Sequence, residues 1–159
     1  MIALKQSGRQ QALIDRILRE GETQTFETKR VSGKMVGKAL ETICAFANTR
    51  GGWLVLGVED FNKAKGADRF FGTTENSEAV DELLRKLETQ YLPPIENVAG
   101  AIVKTTLRDG SEGQIVALYT PPSDKVAFGS GQRHMVARQC QQPRNECSGN
   151  CGTKLSTWG

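Results

Sequence analysis

The chain has 159 residues, 38% of them hydrophobic and 25% charged, with a formal net charge of +3. That length supports one domain with a substantial core, and no run of about 18 apolar residues exists to form a membrane-spanning helix. The charge is unevenly placed: residues 1–124 hold 16 Lys and Arg against 17 Asp and Glu, a net −1, whereas residues 125–159 hold 5 against 1, a net +4. The pI of about 8.7 thus comes from the tail, so it does not mark the domain as a basic nucleic-acid binder. The opening residues, MIALKQSGRQQ, lack the apolar centre of a signal peptide, and the expectation is a cytoplasmic protein with no membrane contact.

Leu13, Ile14, Ile17 and Leu18 form a helical stripe over 10–20, which Gly21 closes. Thr23 to Lys29 alternates and is rich in Thr and Phe, which predicts a strand. A second helix follows over 34–48, with Val36, Leu40, Ile43 and Ala47 on one face and Met35, Ala39, Cys44 and Phe46 widening it. Asn48 to Gly52 stop that helix, because Asn and Gly accept the left-handed backbone of a C-cap. Trp53 to Val58 is apolar and predicts a buried strand ending in Glu59 and Asp60. Asn76 or Ser77 can cap a third helix carrying Val80, Leu83, Leu84 and Leu87, which stops before Pro93-Pro94. Val98 to Leu107 and Gln114 to Thr120 read as a hairpin around Asp109-Gly110. No internal repeat is present, and the order predicts an α+β fold: a single domain whose mixed sheet is flanked by about three helices.

The candidate site is spread over two segments. Glu22 and Glu27 flank the first strand, Lys29 follows, and Asp60 ends the central strand. If the two strands are neighbours, three carboxylates converge at one edge, an oxygen ligand set suited to Mg²⁺ or Mn²⁺. The plain alternative is that Glu and Lys on an edge strand discourage aggregation. Lys29, Arg30, Lys34 and Lys38 form a basic run without an intervening acid, with Arg50 nearby; as charge alone this is a solvated helix face.

E-T-Q-T-F-E-T-K (Glu22 to Lys29) and A-F-A-N-T-x-G-G-x-L-V-L-G-V-E-D (Ala45 to Asp60) resemble the two motifs of the Schlafen AlbA-type domain family, over roughly residues 12–122. The resemblance implies a Schlafen/Alba-like fold and a nucleic-acid-binding domain, for DNA or RNA, often part of a transcriptional regulator. Lys29, Arg30, Lys34, Lys38 and Arg50 would then meet phosphates, with Asn48, Gly51 and Gly52 shaping the turn. In animal Schlafens the related core cleaves RNA with a divalent metal held by three carboxylates. By motif position these correspond to Glu22, Glu27 and Asp60, with Lys29 as the family lysine. Those enzymes use two lobes and this chain has one, so an endoribonuclease would require a homodimer. A regulatory or protein-interaction module is the third reading. No organic cofactor is expected.

Other motifs carry little. Ser32-Gly33-Lys34 lacks phosphate-loop spacing, and the single histidine, His134, argues against a Ser-His-Asp triad. His134, Cys140, Cys147 and Cys151 lack zinc-knuckle spacing. Residues 1–124 read as the domain and 125–159 as an atypical basic tail. The resemblance implies a final strand with an Arg-x-Gly step, which the tail lacks; the neighbouring reading frame turns HMVARQCQQPRNE (His134 to Glu146) into TWWRGNASNREMS, which supplies a strand-Arg-Gly pattern. The tail is therefore read as frame-shifted from between about 125 and 134, and as disordered.

Overall fold

The computed structural model describes residues 8–92, 95, 97–124 and 128–129; the tail from 130 on, with His134 and the three tail cysteines, lies outside the described residues. Helix α1 (Gly8–Arg19) turns Ile17 fully inward and leaves Leu18 exposed. A tight turn, bridged between Thr23 and Phe26, then reverses the chain into strand β1 (Phe26–Lys29). β1 is shorter than its alternating sequence predicts, because Thr23 to Thr25 are spent on that turn. Helix α2 (Met35–Ala47) buries eight residues, the whole face predicted for it. Strand β2 (Gly52–Leu56) follows, then helix α3 (Ser77–Thr89), a short strand β3 (Tyr91–Leu92), and the hairpin β4 (Ala99–Thr106) and β5 (Glu112–Thr120). Asn76 caps α3 by accepting the Ala79 N–H at 3.2 Å. A two-residue strand, β6 (Phe128–Gly129), pairs with β3, an element the sequence reading did not contain.

The sheet runs β1-β2-β5-β4, with β1 parallel to β2 and the other pairs antiparallel. This is the mixed sheet of an α+β domain with three helices among the described residues. The β1–α2–β2 crossover fixes the geography: α2 starts at the C-terminal ends of the two parallel strands and returns to their N-terminal ends. One face of the sheet packs Leu54, Leu56, Val116 and Leu118 against α2 and α3. The other packs Phe26, Val55, Val103, Ile115 and Ala117 against Ile17 of α1 and Phe70. Trp53 and Tyr119, cross-strand partners, meet at 5.1 Å between ring centroids. Cys44 is fully buried in the helical layer, as its apolar surroundings predict.

Two glycine positions hold the ends of β2. Gly51 has φ +75, and a Cβ there would sit 2.6 Å from the Thr120 carbonyl oxygen. The Asn48–Gly52 motif is thus explained by close backbone approach to β5. At the other end Gly57 has φ +96, and its carbonyl accepts the N–H groups of Phe71 and Gly72, both at 2.9 Å. A Cβ on Gly57 would lie 2.8 Å from the Gly72 carbonyl carbon, which is backbone and cannot move aside. Gly57→Ala is therefore expected to cost about 2 kcal/mol or more, from a strained left-handed backbone and the displaced 66–72 loop. Urea unfolding checks this, and a cost below about 0.5 kcal/mol would contradict it.

Candidate nucleic-acid interface

The two motif segments meet. β1 pairs with β2 in register Glu27 to Leu54 and Lys29 to Leu56, so Glu27, Lys29 and the β2 exit at Glu59-Asp60 face one open cavity of about 660 Å³. Glu22 reaches the same cavity because the Thr23–Phe26 turn folds it back along β1. There the Glu22 carboxylate takes up hydrogen bonding on the outer edge of β1: it accepts from the Thr28 backbone N–H, and the Thr28 hydroxyl lies 3.5 Å away. The three predicted acids thus line one site. Glu27 and Lys29 also share one face of β1, as period two requires, and form an ion pair.

The acids are not equivalent. Glu27 is held by Lys29, and the Thr42 hydroxyl of α2 lies 3.2 Å from its other oxygen. Asp60 opens a turn, its side chain accepting the Asn62 N–H at 2.8 Å. Among the described residues, Glu22 and Asp60 make no ion pair. The Glu22 carboxyl is held above its ordinary value, by burial first and then by the charges of Glu27 and Asp60; the Thr28 N–H and Lys29 pull it down. A carboxyl raised in the folded state binds its proton more readily there than in the unfolded chain. Stability therefore falls as pH climbs from the unfolded value through the folded one. Glu22→Gln removes that loss and keeps an acceptor for Thr28. The variant is expected to be more stable than the parent at pH 7 in urea, with the gap closing by about pH 4. Equal stability at pH 7 would contradict the burial of Glu22 beside Glu27 and Asp60.

The basic residues divide. Lys29, Arg30, Lys34 and Lys38 all line the cavity, joined by Lys63, which the sequence reading passed over. Arg30 is committed: it pairs with Glu75 through two bonds of 2.9 and 2.6 Å, lies 3.7 Å from Glu59, and stacks 3.8 Å above the Phe71 ring. Lys34 and Lys38 are exposed and make no ion pair among the described residues. Both belong to the start of α2, where Lys34 supplies no side-chain cap and the first turn holds no acid. That helix end carries partial positive charge and orphan N–H groups. Asn48, Arg50, Gly51 and Gly52 do not line the cavity. They sit at the far end of α2, at the start of β2, because the crossover separates the two ends of the helix by its length.

A further residue had no sequence signal. Arg69 is fully buried. Its Nε donates to the Glu59 carbonyl at 2.9 Å, Nη1 to the Ile17 carbonyl, and Nη2 to the Thr28 hydroxyl at 3.0 Å. Burial lowers its pKa, while Glu22, Asp60 and Glu59 oppose that shift.

A family profile described as Schlafen, AlbA_2 matches residues 22–145, most of the chain and both motif segments. The chain belongs to the Schlafen AlbA_2 family. Among solved structures, the N-terminal domain of an ATP-dependent DNA helicase RecG-related protein from Nitrosomonas europaea is similar at 22% identity with a TM-score of 0.58. The match covers 76% of this chain and 80% of that one, and shows a common fold. The DIP2311 protein from Corynebacterium diphtheriae matches at 18% identity with a TM-score of 0.48, over 76% of this chain and 23% of that one, so this chain spans about a quarter of its length. A comparison with curated proteins found no match. In this AlbA_2 chain the expected family carboxylates share a cavity. Among the described residues no group of three His, Cys, Asp or Glu side chains that could hold an ion is found. No helix among the described residues is long and apolar enough to cross a membrane.

Proposed function

We propose that this AlbA_2 domain binds nucleic acid at the cavity formed by the start of α2, the edge of β1 and the 59–63 turn. One observation carries the reading: two cations without ion pairs among the described residues, Lys34 and Lys38, stand at the uncapped start of α2 and share one cavity with two carboxylates that also make none, Glu22 and Asp60. Phosphates suit the first half, where lysine charge, helix dipole and backbone N–H groups add. The second half repels phosphate and accepts hydrogen bonds from the donors a nucleic acid also presents, base amino groups and ribose 2′-hydroxyls. The cavity therefore orients a strand as well as attracting it.

The second reading, a divalent-metal-dependent endoribonuclease acting as a homodimer, has one observation in its favour. The Glu22 carboxyl is raised by burial first and then by the charges of Glu27 and Asp60, and Mg²⁺ or Mn²⁺ would relieve the part due to those charges. It requires Glu27 to exchange its ion pair with Lys29 for the metal.

Gel shifts of RNA and DNA oligomers at rising salt, with EDTA, test the first reading. Binding that weakens steeply with salt is expected; no shift at low salt by folded protein overturns it. Incubating a structured RNA with Mn²⁺, beside a Glu22→Ala/Asp60→Ala variant, tests the second: cleavage by the parent alone would establish it.

A further inference from the structure

Arg69 stands out because its charge is buried yet, among the described residues, makes no ion pair with a carboxylate. All three nitrogens of its guanidinium are used, on two carbonyls and one hydroxyl. Those acceptors come from three separate segments: Ile17 in α1, Thr28 in β1, and Glu59 at the exit of β2. A guanidinium is suited to this, since its planar fork fixes the direction of every donor and it stays charged when buried. Lysine, with a single flexible ammonium, could not span the three.

The charge faces Glu22, Asp60 and Glu59, the acids gathered at the cavity. Each is held at one remove. Glu59 presents its carbonyl to Arg69 and sends its carboxylate outward to Arg30 and Lys63. Asp60 is the next residue. Glu22 is reached through Thr28, whose buried hydroxyl accepts from Arg69 and, with its own proton, faces Glu22 Oε1 at 3.5 Å. A hydroxyl that accepts on one side and donates on the other has its proton direction set by the donor, so the Arg69 bond aims the Thr28 proton at Glu22.

We infer that Arg69 is a positioning residue of the acidic half of the cavity, acting through the Thr28 hydroxyl to hold Glu22 in one orientation and through its buried charge to keep Glu22, Glu59 and Asp60 together. The functional consequence rests on the nucleic-acid reading above: a Glu22 already fixed gives a bound strand an acceptor in place, without the ordering cost of a mobile side chain.

Thr28→Val and Thr28→Ser test this. Valine keeps the shape and the backbone N–H but removes the relay; serine keeps the hydroxyl. Three-bond NMR couplings report whether the Glu22 side chain holds one χ1 rotamer or averages over several. The parent and Thr28→Ser are expected to show one rotamer, and Thr28→Val an averaged one, while amide spectra show all three folded. Oligonucleotide affinity of Thr28→Val should fall about three- to tenfold, with Thr28→Ser restoring it. A single rotamer in Thr28→Val, or averaging already in the parent, overturns the relay. A parent that binds no oligonucleotide while valine still frees Glu22 removes the functional reading and leaves the relay standing, so the two failures are distinguishable.

Discussion

Reversing both free lysines, in Lys34→Glu/Lys38→Glu, is expected to abolish oligonucleotide binding while leaving the domain at least as stable as the parent. The two effects have opposite signs for one reason. Both residues are exposed, make no ion pair among the described residues, and stand at the uncapped start of α2. Acidic side chains there favour the helix dipole and stabilise by about 0.3–1 kcal/mol each. The same change removes two phosphate contacts and adds two repulsions beside Glu22 and Asp60. Affinity at about 50 mM salt should fall by at least about 100-fold. Milder Lys→Ala changes at the same positions should lower the slope of log affinity against log salt by about 2. Arg50→Glu is the control. It carries the charge reversal of one such lysine at the other end of α2, and binding should alter less than about threefold, since only distant charge acts there. Equal losses from both variants would mean that binding follows net charge and not this cavity.

The largest loss of stability is expected from Arg69→Met, at about 3–5 kcal/mol. Methionine fits the space roughly but leaves two carbonyls and the Thr28 hydroxyl without their donor inside the protein, and each buried polar group so orphaned costs about 1–3 kcal/mol. It also unties α1 from β1 and from the 59–60 turn. Domains of this kind have about 5–15 kcal/mol in total, so the variant should stand near the edge of folding. Urea unfolding at pH 7 measures it. A cost under about 1 kcal/mol would show that the three bonds are not maintained in solution.

The secondary structure was legible because each element carries its own periodicity. The eight inward residues of α2 repeat at helical spacing, β4 alternates, and β5 is an apolar run buried on both faces, the two strands meeting at a turn marked by Asp109-Gly110. The acid trio was legible only as two motifs; that they share a cavity needed the parallel pairing of β1 with β2. Arg69 was not legible at all. A buried arginine in an irregular segment leaves no periodic trace, and its three partners come from sequence positions 17, 28 and 59. Arg50 shows the opposite case. Sequence proximity to the central strand suggested proximity to the basic run, but a helical crossover sends its two ends to opposite ends of the strands. That separation follows from the β1–α2–β2 order alone and could have been drawn without coordinates. Glu59, which sequence marks only as the end of a strand, holds Arg30 and Lys63 with its carboxylate and Arg69 with its carbonyl.

The most direct test of the cavity as a nucleic-acid site is to follow backbone amide signals while a short RNA or DNA oligomer is titrated into the folded protein. The account predicts shifts concentrated at Ser32 to Lys38, Glu22, Glu27 to Lys29 and Glu59 to Lys63, with Asn48 to Gly52 nearly unmoved. Shifts centred on Asn48 to Gly52, or none at low salt, would contradict it.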